Sequence, residues 1–210
     1  AFDAGVVIEK AFVLSEKAQN YSFLSDKIVQ TNEAVLKKIS TTDTPPEIVA
    51  IATQRVYDKK VLSDCKKVVL LENIRDLGNL GTILRTSVAF GADAVVLYGD
   101  CADLYNPKCV RSSVGNLWKI PVVHLKEFSE LSVFNNFSKV ATLPRAQKYL
   151  KDFTVSLPCL VMFGSEADGL SDELIQFSDG AVKIEMAENV ESLNLSVSCA
   201  VVLYKLFCLQ

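Results

Sequence analysis

The stretch Lys66–Tyr98, KKVVLLENIRDLGNLGTILRTSVAFGADAVVLY, decides the fold. It opens on an apolar run, Lys66–Glu72, and passes through a glycine-containing loop. A helical pattern follows over Leu80–Gly91, with Leu80, Ile83, Leu84 and Val88 on one apolar stripe. A second apolar run, Asp93–Tyr98, closes it. Strand, helix and strand within about thirty residues make a βαβ unit, whose parallel strands are buried on both faces. Gly78 permits the tight turn and Asn79 can cap the helix. Arg85 stands beside the apolar stripe. It is either a surface side chain with its stem laid over apolar neighbours or one aimed at a site near the strand's carboxyl end. The glycines do not spell G-x-G-x-x-G, so dinucleotide binding is weakly supported.

The same alternation continues outward. Candidate strands are Ile120–Val123, Lys139–Leu143, Cys159–Phe163 and Ala181–Met186, and a last helix runs from about Leu193 to Cys208. Toward the N-terminus, Gly5–Leu14 reads as a strand, Asn32 opens a short helix to Ser40, and Glu47–Thr53 reads as a strand after the turn TTDTPP. The polar run Tyr57–Lys66 reads as a linker. This predicts an α/β protein with a mostly parallel sheet, divided near residue 60 into a small part (1–60) and a standard α/β domain (61–210).

Composition narrows the function. The 210 residues carry 22 Lys and Arg against 25 Asp and Glu, a net charge of −3. Residues 1–60 hold 8 basic and 8 acidic side chains and the remainder 14 and 17, so neither part is a polybasic arm. This argues against a protein that holds nucleic acid by bulk charge but leaves room for a local basic face, so any such partner needs a few placed arginines and lysines or a partner subunit. No apolar run reaches the ~18–20 residues that span a bilayer. Six cysteines without a C-x-x-C pair lie mostly in apolar surroundings, as free thiols of a reducing cytoplasm do. One histidine, His124, cannot assemble a zinc site, so no metal is expected; it reads as a capping or surface residue.

Three more patterns could carry chemistry. In LVMFGSEADGLS a buried strand runs into Gly164, Glu166 and Gly169, and Ser171 caps a helix. Gly164 there would let a ligand approach the backbone; the alternative is an ordinary strand-to-helix turn. In Val182–Leu206 a strand ends at Met186, and Ser192 can cap a helix whose start includes Asn194. In PKCVRSSVGNLWKIPV, Arg111 and its serines precede a strand in a way that suits a phosphate contact.

Together and in this order the patterns resemble the SpoU (TrmH) family of the SPOUT superfamily, the ribose 2′-O-methyltransferases of tRNA and rRNA. Asn79, Gly81 and Arg85, with Phe90-Gly91-Ala92-Asp93, match the first motif. Gly164, Glu166 and Gly169 match the second; Met186 and Ser192-Leu193-Asn194 match the third. Arg111, Ser113 and Gly115 match the arginine–x–serine–x–glycine stretch. The likeness covers residues 66–208. Residues 1–60 are similar to the small RNA-binding domain that often precedes the catalytic one, here in truncated form, although Pro46 and Glu47 stand where that domain carries glutamine and glycine.

The resemblance implies a C-terminal trefoil knot and a homodimer with active sites at the subunit junction. It implies S-adenosylmethionine as cofactor, bound at Thr142 or Leu143, Gly164, Ile184, Met186 and Leu193, largely through backbone groups. It also implies Asn79, Arg85, Glu166, Ser192 and Asn194 as catalytic residues, with the other four holding Arg85 and the ribose, and Arg111 and Ser113 as RNA contacts. The implied reaction is methyl transfer to a ribose 2′-OH of rRNA or tRNA in the cytoplasm. A catalytically silent RNA-binding protein on the same fold, a base-modifying methyltransferase and an α/β oxidoreductase are the competing readings.

Overall fold

Strand β1, Ile8–Leu14, is the centre of the first of two units, Ala1–Arg55. In this computed structural model, which describes residues 1–209, β1 buries Ile8, Ala11 and Val13. The three-residue step between Ile8 and Ala11 breaks strict alternation because a bulge shifts the register between Ile8 and Lys10. β2 (Ile28–Thr31) pairs with β1 in parallel and β3 (Ile48–Ala52) pairs antiparallel, giving the order β2-β1-β3. α1, Glu33–Ile39, starts where Asn32 accepts a hydrogen bond from Val35 N at 3.1 Å, and it buries Leu36. β2 escapes sequence reading because it is four residues long and buries no side chain fully.

The second unit, Val56–Gln210, is a seven-stranded sheet in which every pairing is parallel. Its elements are β4 (Lys67–Glu72), α2 (Leu77–Ala89), β5 (Ala94–Tyr98), α3 (Pro107–Ser112), β6 (Val122–Leu125), β7 (Ser138–Thr142), β8 (Lys148–Tyr149), β9 (Cys159–Phe163), α4 (Asp172–Phe177), β10 (Gly180–Lys183) and α5 (Leu195–Cys208). Their spatial order is β6-β5-β4-β9-β7-β10-β8. Every residue of β5 and β9 is buried, as expected of strands covered on both faces. Leu70 pairs with Val96 on one side and Met162 on the other, and all three join the main core with Phe134.

Several boundaries differ from the sequence reading, each for a local reason. The run read as a linker carries Leu62, fully buried in this core, on a 3-10 turn at Lys59–Asp64; the division between units falls after Arg55. α2 begins at Leu77, because Asp76 and not Asn79 is its cap: Asp76 Oδ1 accepts from Asn79 N at 2.7 Å. α5 is capped by Asn194 and not Ser192. The strand expected over Ala181–Met186 stops at Lys183, and Ile184 and Met186 leave the sheet. The strand expected at Ile120–Val123 lies two residues later, at Val122–Leu125.

Two helices flank α2. α3 packs across Gly81, where a Cβ would stand 2.0 Å from Ser112 Oγ and 2.5 Å from Cys109 O, so only glycine permits the approach. α5 packs along α2 as well. All six cysteines are free, and burial pushes the Cys65, Cys109 and Cys159 thiols up to about 11. His124 is exposed, with Nε2 2.9 Å from Gly99 O. Among the described residues no helix is long and apolar enough to cross a membrane, and no group of three His, Cys, Asp or Glu could hold a metal.

Candidate functional site

Parallel strands place their carboxyl ends along one edge, and ligand sites form in the loops that leave it. Here the segments after β7, β9 and β10 and the start of α5 enclose one cavity of about 860 Å³. Its wall includes Thr142, Leu143, Gly164, Glu166, Ile184, Met186, Ser192, Leu193 and Asn194, which the sequence singled out in four separate places. Arg145, Asp168 and Lys183 also line it and were not foreseen, because none belongs to a motif.

Each wall is fixed by local chemistry. Thr142 Oγ1 donates to Met162 O at 2.8 Å, tying the end of β7 to β9. After β9, Gly169 takes φ +71, a backbone conformation that glycine adopts without strain, and Ser165 and Gly169 form an isolated bridge. A Cβ on Gly164 would lie 1.9 Å from Gly169 C and 2.1 Å from Leu170 N. This corrects one expectation: the space glycine leaves at position 164 is filled by the chain's own backbone, not held open for a ligand. The far end of that turn is anchored from below, where the buried Glu72 carboxylate accepts from Ser171 N at 2.7 Å. Ser171 in turn caps α4, as its place in the sequence predicts.

A chain of amides stands at the rim. The backbone N–H groups of Ser196 and Val197 and the Ser196 hydroxyl all donate to Asn194 Oδ1, at 2.9, 3.4 and 2.7 Å. With its oxygen so engaged, Asn194 turns Nδ2 outward to donate to Asn79 Oδ1 at 3.0 Å. Asn79 then donates through Nδ2 to Glu166 Oε1. Three residues from three motifs thus form one directional relay ending on a carboxylate. The cap at Asp76 makes this possible, since it leaves the Asn79 side chain free for the site.

The remaining candidates lie elsewhere. Arg85 is exposed and forms no hydrogen bond or ion pair among the described residues, so Asn79, Glu166 and Asn194 hold one another and not Arg85. Six helical positions at 100° each put Asn79 and Arg85 roughly 120° apart around α2, and Arg85 does not line the cavity of its own chain. Ser192 lines the cavity without joining the relay. Ser113 is fully buried with its hydroxyl donated to Val110 O at 2.8 Å, which leaves it no free face for RNA. Arg111 is exposed on α3.

A parallel α/β unit whose ligand cavity is made from three strand-end loops, with no dinucleotide fingerprint and a carboxamide–carboxylate relay at its rim, defines a loop-built cofactor domain. The SpoU rRNA Methylase family model matches residues 66–204, and the chain belongs to that family. It is 35% identical over 174 residues to an uncharacterized tRNA/rRNA methyltransferase of Synechocystis, covering 81% of this chain and 64% of that one. It therefore spans a little under two thirds of that relative's length. It is 29% identical over 177 residues to the 23S rRNA (guanosine(2553)-2′-O)-methyltransferase of Bacillus subtilis, covering 83% of this chain and 70% of that one. Among solved structures it is similar to the SpoU methyltransferase AviRb of Streptomyces viridochromogenes in complex with AdoMet, with TM-score 0.87 and 25% identity over 97% of this chain and 83% of the other.

Proposed function

We propose that this protein transfers a methyl group from S-adenosylmethionine to a ribose 2′-hydroxyl of rRNA or tRNA. The observation that carries the reading is the convergence of nine of the eleven expected cofactor and catalytic residues on one cavity. Its volume lies within the ~300–1,000 Å³ usual for small-molecule sites. The activity named for the Bacillus subtilis relative and the AdoMet-bound Streptomyces structure point the same way.

The residues present fit the cofactor. Leu143, Ile184, Met186 and Leu193 supply an apolar lining, and the strand-end loops offer backbone N–H and C=O groups to its polar ends. When bound, the cofactor supplies an activated methyl on a sulfonium. The protein's part is to orient the 2′-oxygen and remove its proton. Glu166, fixed by Asn79, is placed to accept a hydroxyl hydrogen bond at the rim. A guanidinium keeps its proton at neutral pH, so Arg85 is a poor base. Its role is to pair with the substrate phosphate and polarise the hydroxyl, the proton leaving to phosphate or water.

Assembly supplies Arg85 to the site. It faces away from its own chain's relay, so we assign it to the cavity of a second copy in a homodimer. α5 supports such an interface: Val197, Val201 and Tyr204 are 48%, 40% and 47% exposed and lie at i, i+4 and i+7 on one face. The path of the C-terminal segment supports a trefoil knot. The chain leaves β10 on the far side of β7, then returns past β9 and β4 to pack α5 on α2. The first unit is assigned to substrate RNA, on the likeness of its closing turn and strand to the family's small RNA-binding domain, and Arg111 to an RNA phosphate. A cytoplasmic location is assigned on the six free cysteines, which suit a reducing compartment.

Incubation with methyl-labelled S-adenosylmethionine and total RNA, followed by alkaline hydrolysis, tests the proposal. Label retained in an alkali-resistant dinucleotide is expected, because 2′-O-methylation blocks cleavage there. Label on a base, or none, overturns it.

A further inference from the structure

Four basic residues gather where β8 and β10 adjoin the cavity. Arg145 and Lys183 line it; Lys148 lies on the edge strand β8 and Lys151 just beyond. The parallel register sets Lys183 opposite Tyr149. Nζ of Lys183 and of Lys151 stand 4.6 and 5.2 Å from the centre of the Tyr149 ring, and Nζ of Lys148 stands 5.8 Å from that of Phe153. Lys151 is paired with Glu185 at 2.7 Å. Among the described residues, Arg145, Lys148 and Lys183 have neither a carboxylate nor a hydrogen-bond partner. Against these four cations stand Glu185 and Asp152 beside Lys151, which leaves a local excess of positive charge in a chain of net charge −3.

Lysines on an edge strand commonly prevent pairing with another chain's edge. That role does not account for Lys183, which sits on the inner strand β10, or for Arg145, in the loop after β7. An aromatic face that attracts two ammonium groups also works against their scattering into solvent. The result is a set of cations held near one another beside the cavity, with Arg145, Lys148 and Lys151 exposed.

We propose that this patch binds the phosphodiester backbone of the RNA segment that flanks the nucleotide presented to the cavity, with the Tyr149 ring keeping Lys151 and Lys183 in place. It rests on the reading above that the substrate is RNA. Charge complementarity selects the occupant: successive phosphates of a strand entering the cavity need cations at its border, and the rest of the chain is acidic.

The full chain and its variants are titrated into a fluorescein-labelled uridine oligonucleotide of about 20 nucleotides, and anisotropy is read from low to moderate salt. Cofactor affinity is measured in parallel by calorimetry. The Lys148→Ala/Lys151→Ala pair is expected to bind the oligonucleotide about tenfold more weakly. The slope of log affinity against log salt should fall by roughly 0.7 for each phosphate that is no longer neutralised. Tyr149→Ala should weaken binding severalfold and Tyr149→Phe should restore it, with cofactor affinity unchanged in all. Parental affinity and slope in the lysine pair overturn the proposal, as does weaker binding with the parental slope. Absence of binding by the parent chain overturns it as well. Displacement of the oligonucleotide by polyglutamate at equal charge would identify an acidic protein as the occupant and overturn it too. Binding is read without turnover, so a parent chain that binds RNA but methylates none removes the proposed function while these slopes still judge the patch.

Discussion

Asn194 serves two structures at once: its side-chain oxygen caps α5, and its amide nitrogen donates to Asn79 Oδ1 at 3.0 Å. The helix that closes the chain and the first helix of the βαβ unit are therefore coupled at the rim of the cavity. The Ser196 hydroxyl, 2.7 Å from the same oxygen, fixes which way the amide points.

Asn194→Asp separates the two duties. Aspartate caps a helix as well as asparagine does, so the melting temperature should stay within about 2 °C of the parent. The carboxylate cannot donate to Asn79, which must then turn its own amide and release Glu166. Methyl transfer should fall at least about tenfold. Parental activity in this variant, measured with labelled cofactor, would remove the relay from the mechanism.

Arg85→Ala should abolish methylation while leaving cofactor affinity nearly intact, because its side chain is absent from the cavity wall of its own chain. If Arg85 serves the neighbouring copy, mixing Arg85→Ala with an inactive Asn79→Ala chain should restore about a quarter of the parental activity. Those hybrid dimers keep one complete site. No recovery after subunit exchange would place the arginine in cis.

Gly164→Ala should cost about 1–3 kcal/mol of stability, since the new methyl meets the backbone of Gly169 and Leu170, which cannot swing aside as a side chain would. The displaced turn carries Glu166, so cofactor affinity and activity should fall together. Thermal melts with and without cofactor check both, and a variant as stable as the parent would contradict the packing described.

Acid should expose the contribution of Glu130. The backbone N–H groups of Lys126 and Glu127, and then Lys59, hold its carboxyl down to about 2, against an ordinary value of 4.5. A carboxyl whose folded pKa is depressed stabilises the fold above its unfolded pKa and loses that effect as pH falls through the folded one. Glu130→Gln should thus be less stable than the parent at pH 7, with the gap closing from about pH 4.5 toward pH 2. Urea midpoints at a series of pH values measure this, and a gap independent of pH would refute it.

Much of the candidate site was legible because its motifs are local and, taken in order, resemble those of the SpoU family. Glycine spacing marked the turn at Gly164–Gly169, and the Ser192-Leu193-Asn194 run marked the start of α5. What could not be read was which residue of a polar cluster would take the cap. Asp76 and Asn79, or Ser192 and Asn194, are equally able caps on paper, and tertiary packing chooses. That choice matters, because leaving the cap to Asp76 frees the Asn79 side chain to join Asn194 and Glu166. The cations beside the cavity carried no signal either: Arg145, Lys148 and Lys151 are near neighbours in sequence, but Lys183 joins them only through the β8–β10 pairing.

Apolar periodicity and turn chemistry by themselves determined a mostly parallel α/β unit, because burial on both faces of a strand demands a composition that any reader of the chain can see. The spatial order of the strands, the direction of the amide relay and the choice of Asp76 as the cap of α2 were decided only in three dimensions. Each depends on contacts between segments far apart in the chain, and nothing local in composition encodes which distant partner a residue will meet.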